Sequence, residues 1–188
     1  MTEEKTEETI SEEMILVDEA DRETGRGGKL AVHRAGLLHR AFSVFLWREG
    51  QLLLQRRAAG KYHSALLWAN TCCSHPRPGE EVLDAARRRL REECGIDCPC
   101  LREAFCFTYR AELKNGLTEH EFDHVLLGYH KGGRFSPDPA EIAELRWWDT
   151  DEVRRALKER PDEFAAWFRL AAPRVIDLLT PGNGGIID

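Results

Sequence analysis

Two pairs of residues in this chain have types and spacings that can do chemistry. Cys73 and His75 stand two apart in Asn70-Thr71-Cys72-Cys73-Ser74-His75-Pro76-Arg77-Pro78-Gly79-Glu80, and Glu119 and Glu121 stand two apart around His120. Alternate side chains of an extended strand share a face, so each pair is expected to project to one side. A thiol can carry a proton and an imidazole can hold a metal. The first pair therefore joins a proton carrier to a metal ligand, and the second sets two carboxylates side by side.

These residues need a scaffold, and hydrophobic periodicity predicts one. Met14 to Val17 reads as a first strand, and residues 18 to 40 read as a long polar, Gly-containing loop bearing Lys29, His33 and His39. Ala41 to Leu46 and Gln51 to Arg56 flank Arg48-Glu49-Gly50 as a hairpin, and Trp68 to Cys72 is a strand entering the Cys73 segment. The charged stretch Glu81 to Glu93 carries Val82, Ala86 and Leu90 at helical spacing, and Gly95 supplies its stop. Leu101 to Arg110 and Glu121 to Tyr129 read as strands either side of a turn at Lys114-Asn115-Gly116, and Leu145 to Trp148 as a further strand. Asp149 or Thr150 is expected to cap a helix to about Lys158, and Pro161 to open a last helix reaching Leu179. Interleaved strands and helices of this kind predict an α+β domain with a mixed sheet flanked by helices.

Composition narrows the partners. The chain has 188 residues, long enough for one domain with a sizeable core, and its formal net charge is -6. An acidic chain is ill suited to nucleic acid, so any anionic ligand must be held by a local cluster of Lys and Arg. Met1 to Glu13 holds six Glu and no apolar run and reads as a disordered acidic tail; 14 to 180 forms one domain, and 181 to 188 reads as a flexible end. No stretch has the length of apolar residues that spans a bilayer. Six cysteines without an export signal point to a reducing, cytoplasmic setting, and a monomer is the favoured state.

The helix after Gly79 resembles a Nudix box, Gly-x5-Glu-x7-Arg-Glu-hydrophobic-x-Glu-Glu-x-Gly-hydrophobic. Glu80, Arg88, Leu90, Glu92, Glu93, Gly95 and Ile96 occupy its frame, while Ser74 replaces the first Gly and Arg89 replaces the Glu after the Arg. Nudix hydrolases align helix carboxylates around Mg²⁺. A guanidinium at that place removes a ligand and adds an anion grip, so a hydrolytic site looks dismantled. Lys61-Tyr62-His63-Ser64, Leu67-Trp68, the Asn70 to Glu80 segment, Tyr109-Arg110, Glu119 to His124, Trp147-Trp148 and Trp167 together resemble the type 1 isopentenyl diphosphate isomerases, over roughly residues 14 to 180.

That resemblance implies a Nudix-like fold and an isomerase that moves a double bond between isopentenyl and dimethylallyl diphosphate. It implies one tightly held divalent metal, Mn²⁺, Zn²⁺ or Mg²⁺, on His33, His39, His75, Glu119 and Glu121. A second ion, Mg²⁺, would travel with the substrate diphosphate and touch Glu93. Lys29, Arg57, Lys61 and Arg89 would hold the diphosphate. Cys73 and Glu121, with Tyr109 beside the glutamate, would move protons on the two faces of the alkene, and Trp167 would present a π face to developing positive charge. Ala65-Leu66 departs from the pair of glycines common at that place. The remaining cysteines read as packing residues, and the spacing of Cys94, Cys98, Cys100 and Cys106 fits no common zinc site. His63, His120, His124 and His130 read as surface or hydrogen-bonding residues. The rival readings are a Nudix hydrolase of a nucleoside diphosphate derivative and a catalytically silent binding module.

Overall fold

The computed structural model describes residues 13–113 and 116–180. The predicted acidic tail, apart from Glu13, the C-terminal end from 181 and two residues of the turn at 114–116 lie outside the described residues.

β3 (His39–Arg48) is the spine of the sheet. Its run Ala41 to Leu46 is buried on both faces, as a strand covered on two sides requires. Along one edge it pairs in parallel with β8 (Thr118–Tyr129), His39 facing Glu121 and Ser43 facing Val125. Along the other edge it meets β1 (Glu13–Val17), then β6 (Cys72–Ser74), then β4 (Gln51–Arg57), all antiparallel. β7 (Arg102–Glu112) extends the sheet beyond β8, and β9 (Ile142–Asp149) and β5 (Trp68–Ala69) pair with β4. β3 and β4 form the expected hairpin, with Leu46 opposite Leu53.

Two helices cover opposite faces. α2 (Val82–Arg89) buries Ala85 and Ala86 with Leu90 against Phe42, Val44, Leu46 and Cys72. α4 (Ala166–Leu179) packs Trp167, Phe168, Ala171 and Val175 over Phe45, Tyr109 and Val125. α3 (Thr150–Glu159) follows β9 and adds Val153 and Ala156 to the second of these cores.

Five expectations need correction. Residues 18 to 40 contain β2 (Glu23–Gly28), paired with β1, and α1 (Lys29–Ala35). Three glycines weaken the strand signal and a seven-residue helix shows less than two turns of periodicity. The Trp68 to Cys72 strand is two short pieces, β5 and β6, which pair with different neighbours. Pro161 opens only a 3₁₀ turn (Pro161–Glu163), and Phe164 bridges to Trp68 before α4 begins. The helix to Glu93 changes to a π-helical turn over Leu90–Cys94, ended by Gly95 in the left-handed region at φ 65°. A side chain there would also meet the Ser136 carbonyl at 2.9 Å, so glycine is required twice over. Asp149 stands at the N-cap of α3 but makes no capping bond; its Oδ1 accepts from Gln51 Nε2 at 3.1 Å.

Candidate active site and metal centre

Strand register assembles the site. His39, Glu121 and Tyr109 lie directly opposite one another on β3, β8 and β7, forming a row across three strands. Cys73 faces Ser43 on β6, farther along β3. Adjacent cysteines point to opposite faces: Cys72 is buried against α2, whereas Cys73 lines a pocket with His75, Glu119, Glu121 and Trp167. Both pairs of alternate residues thus project as strand geometry requires.

At one end of this pocket, donor atoms of His33, His39, His75 and Glu121 all lie within 4.8 Å of one another. Glu119 joins an overlapping group with His33 and with His63. The imidazoles are oriented by main chain. His33 Nδ1 lies 2.7 Å from the Lys29 carbonyl and His39 Nδ1 lies 2.9 Å from the Leu37 carbonyl. A carbonyl only accepts, so each Nδ1 carries a proton, and in the neutral imidazole each Nε2 presents a lone pair. Those lone pairs face carboxylate oxygens, His33 Nε2 at 3.5 Å from Glu119 and His39 Nε2 at 3.6 Å from Glu121. Both Nε2 atoms, Glu119 Oε2 and His75 Nδ1 are buried without a hydrogen-bond partner. Acceptor facing acceptor in a buried site is repulsive unless a cation lies between them. The mixed nitrogen and oxygen donors suit a divalent metal ion.

Burial reinforces this. It pushes the His33 imidazole below its ordinary value and takes His75 down to about 3, against the pull of Glu121, so both stay neutral and able to ligate. Glu119 is raised by burial and by the neighbouring Glu121 charge. Burial would raise Glu121 too, but the adjoining His39 and His75 imidazoles outweigh that and hold it well below the carboxylate range. Tyr109 donates its hydroxyl to Glu121 Oε2 at 2.6 Å, and burial and that carboxylate raise the phenol well above its usual value.

Cys73 sits where the two ends meet. Burial pushes its thiol up to about 12, despite Arg57, whose Nη1 lies 3.9 Å from the sulfur. The thiol is therefore protonated at neutral pH. The Arg57 guanidinium also lies 5.3 Å from the centre of the Trp167 ring. Trp167 is fixed by donating Nε1 to Asn70 Oδ1 at 3.0 Å, and Asn70 in turn donates to the carbonyls of Val44 and Cys72.

The other end is basic. Arg89 Nη2 lies 2.6 Å from Glu93 Oε1 and 3.8 Å from Glu141, and Lys61 pairs with the other oxygen of Glu141. Burial alone would lower the Arg89 guanidinium, and the Glu93 and Glu141 carboxylates more than reverse it. Lys29 and Arg57 line the same pocket. Glu93 pairs with Arg89 at this end and, among the described residues, is in none of the imidazole donor groups. Arg87, by contrast, pairs with exposed Asp84.

Sequence reasoning missed three residues here. His63 is not on the surface: its Nε2 lies 3.1 Å from Glu119 within the site, and burial takes it down to about 2. Asp123, fully buried, accepts from Ser43 Oγ at 2.8 Å. Glu141 reaches the basic end from the turn before β9. Asp123 alone carried a signal, as the third member of the alternation begun by Glu119 and Glu121. Among the described residues no metal-donor group draws on Cys94, Cys98 or Cys100.

Residues 37–168 match the NUDIX domain family model. The chain is 49% identical over 177 residues to "Isopentenyl-diphosphate Delta-isomerase 2" of Aromatoleum aromaticum, covering 94% of this chain and 93% of that one. It is 52% identical to "Isopentenyl-diphosphate Delta-isomerase 1" of the same organism, over 89% of this chain and 94% of that one. Among solved structures, DR0079 from Deinococcus radiodurans superposes with a TM-score of 0.70 at 20% identity, covering 87% of this chain and 98% of that one. A MutT NUDIX hydrolase from Burkholderia pseudomallei superposes with a TM-score of 0.60 at 22% identity, covering 73% and 98%. These two likenesses speak to the fold.

Proposed function

We propose, for a chain that belongs to the isopentenyl-diphosphate Delta-isomerase family, that this pocket interconverts isopentenyl and dimethylallyl diphosphate. The observation that carries the reading is a protonated thiol, Cys73, sharing one buried pocket with the Tyr109–Glu121 pair, with Trp167 at its wall.

The reaction adds a proton at C4 and removes one from C2, passing through or near a tertiary carbocation. Cys73 and Glu121 are the two groups assigned to these transfers, one to each face of the alkene. Tyr109 donates to Glu121 and offers a path for its proton. Trp167 turns a ring toward the pocket where positive charge develops, and its burial helps exclude water that would capture the cation. His33, His39, His75, Glu119 and Glu121 would hold a divalent ion of the Mn²⁺, Zn²⁺ or Mg²⁺ type. That ion, when bound, neutralises the clustered carboxylates and fixes Glu121. Lys29, Arg57, Lys61 and Arg89 would grip the diphosphate, and Glu93 would help hold the Mg²⁺ that accompanies it and offset its charge. Arg89, turned into the pocket, favours this reading over diphosphate hydrolysis, for which a carboxylate would be expected at that place.

Six free cysteines fit an enzyme working in a reducing cytoplasm. Among the described residues no helix is long and apolar enough to cross a membrane.

The test is incubation with isopentenyl diphosphate and Mg²⁺ in D₂O. The expected product is deuterium-bearing dimethylallyl diphosphate. Release of phosphate would install the hydrolase reading instead, and unlabelled, unchanged substrate with folded, metal-loaded protein would sink the isomerase.

A further inference from the structure

The basic end of the pocket contains more negative charge than an anion site needs. Glu141 reaches Lys61 with one carboxylate oxygen and Arg89 Nη2 with the other, the latter at 3.8 Å. The same Nη2 lies 2.6 Å from Glu93. Main chain locks this arrangement. The Glu141 carbonyl accepts from Ala58 N at 2.9 Å, tying it to the segment that carries Arg57 and Lys61. Asp138 N donates to the Glu93 carbonyl at 2.8 Å, tying the same turn to the end of the α2 region. A carboxylate anchored from both sides is a built part of the subsite and no wandering surface chain.

We propose that Glu141 is a positioning residue that makes this subsite select a diphosphate already carrying a divalent cation over the bare anion. The inference rests on the isomerase reading above and adds a residue to it. Four cations, Lys29, Arg57, Lys61 and Arg89, share the pocket with four carboxylates, Glu93, Glu119, Glu121 and Glu141, and a divalent ion at the imidazole end would offset Glu119 and Glu121. The other two carboxylates among four cations leave a modest positive surplus. A bare diphosphate must take Lys61 and Arg89 away from Glu141, leaving that carboxylate unpaired and close to phosphate oxygens. Such a loss is costly in a partly buried site. A diphosphate that brings a cation exchanges partners: phosphate oxygens take the basic side chains, and the cation satisfies the carboxylates they leave. Glu141 is held ionised for this role, because Lys61 and Arg89 outweigh the effect of burial.

The experiment is calorimetric titration of the protein carrying its tightly held metal with inorganic pyrophosphate, with and without excess Mg²⁺. Wild type should bind the Mg²⁺ form at least about tenfold more tightly than the bare anion. Removing one charge within a few ångströms of the ligand is worth about tenfold or more in a site of this polarity. E141Q should therefore gain about tenfold for bare pyrophosphate and lose most of the preference for Mg²⁺, while E141D keeps that preference. An unchanged Mg²⁺ preference in E141Q, or an equal fall in affinity for both forms, overturns the inference and leaves the isomerase reading standing. Wild type that binds neither form would sink both together.

Discussion

The two ends of the pocket handle charge in opposite ways. At the imidazole end, His33 Nε2 and His39 Nε2 face Glu119 and Glu121 with no hydrogen bond formed between them. At the basic end, Lys61 and Arg89 are already paired with Glu141 and Glu93. The first arrangement leaves buried polar atoms unpaired as it stands and would be completed by the divalent ion proposed above. In the second, Lys61 and Arg89 already have partners, so a ligand can enter and leave by exchanging them. A permanent cofactor site can tolerate internal repulsion, because bound metal stabilises the folded state. A turnover site cannot, because it is empty once in every cycle.

The largest test falls on Cys73, where the ends meet. Cys73→Ala should lower turnover by about a hundred- to ten-thousandfold, the usual range for a group that moves a proton. Metal content and pyrophosphate affinity should stay as in wild type. Loss of metal in that variant would move the thiol from proton carrier to ligand and blur the division between the ends. Next, His33→Ala should weaken the tightly held metal by more than about a hundredfold, read as metal content after dialysis, since removing a ligand costs more than disturbing its supports. Pyrophosphate affinity in the presence of Mg²⁺ should hold. If both fall together, the ends are one coupled unit.

A smaller effect separates the neighbours Arg88 and Arg89. Arg88 makes two bonds to Glu80, at 2.7 and 2.8 Å, and these hold the Glu80 carboxyl below its usual range. A lowered folded value means the stabilisation is present above the unfolded carboxylate's pKa of about 4.3 and is lost as pH falls through the folded value. Glu80→Gln should thus cost about 1 kcal/mol near neutrality, and the deficit should close in acid. A deficit that persists at low pH would show that packing, and not charge, fixes the start of α2. The smallest effect lies in the loop joining the two ends, which carries Lys61 to one and His63 to the other. Leu66 there is 45% exposed and held at φ 61°. Left-handed backbone costs a branched residue roughly 1–2 kcal/mol, offset by glycine's roughly 0.5–1 kcal/mol greater chain entropy. Leu66→Gly should therefore raise the melting temperature by about 2 °C. A drop would mean that the Leu66 side chain helps hold the loop over the pocket.

Local patterns and the folded chain contributed different things. The β3–β4 hairpin, the apolar stripe of α2 and α3 were legible, since each depends on residues a few positions apart. β2 and α1 were not, because glycines and a seven-residue length erase their periodicity. Alternation alone set Cys73 with His75, and Glu119 with Glu121, on shared faces. It also sent Cys72 to the opposite face, into the core. His33 and His39 had no such signal, and only their resemblance to a known pattern singled them out.

The sequence by itself determined which chemistry was in reach: a thiol, imidazoles and carboxylates at strand spacing, and a guanidinium where a hydrolase frame has a carboxylate. Only tertiary structure decided which of these meet. Parallel pairing of β3 with β8 brings His39 to Glu121 across more than eighty residues of chain. Packing of the Lys61–Leu67 loop and the turn before β9 brings in His63 and Glu141, at positions no periodicity marks. Spacing fixes the direction in which a side chain points. What it points at is fixed by pairing and packing between distant segments, where the balance of buried charge is settled.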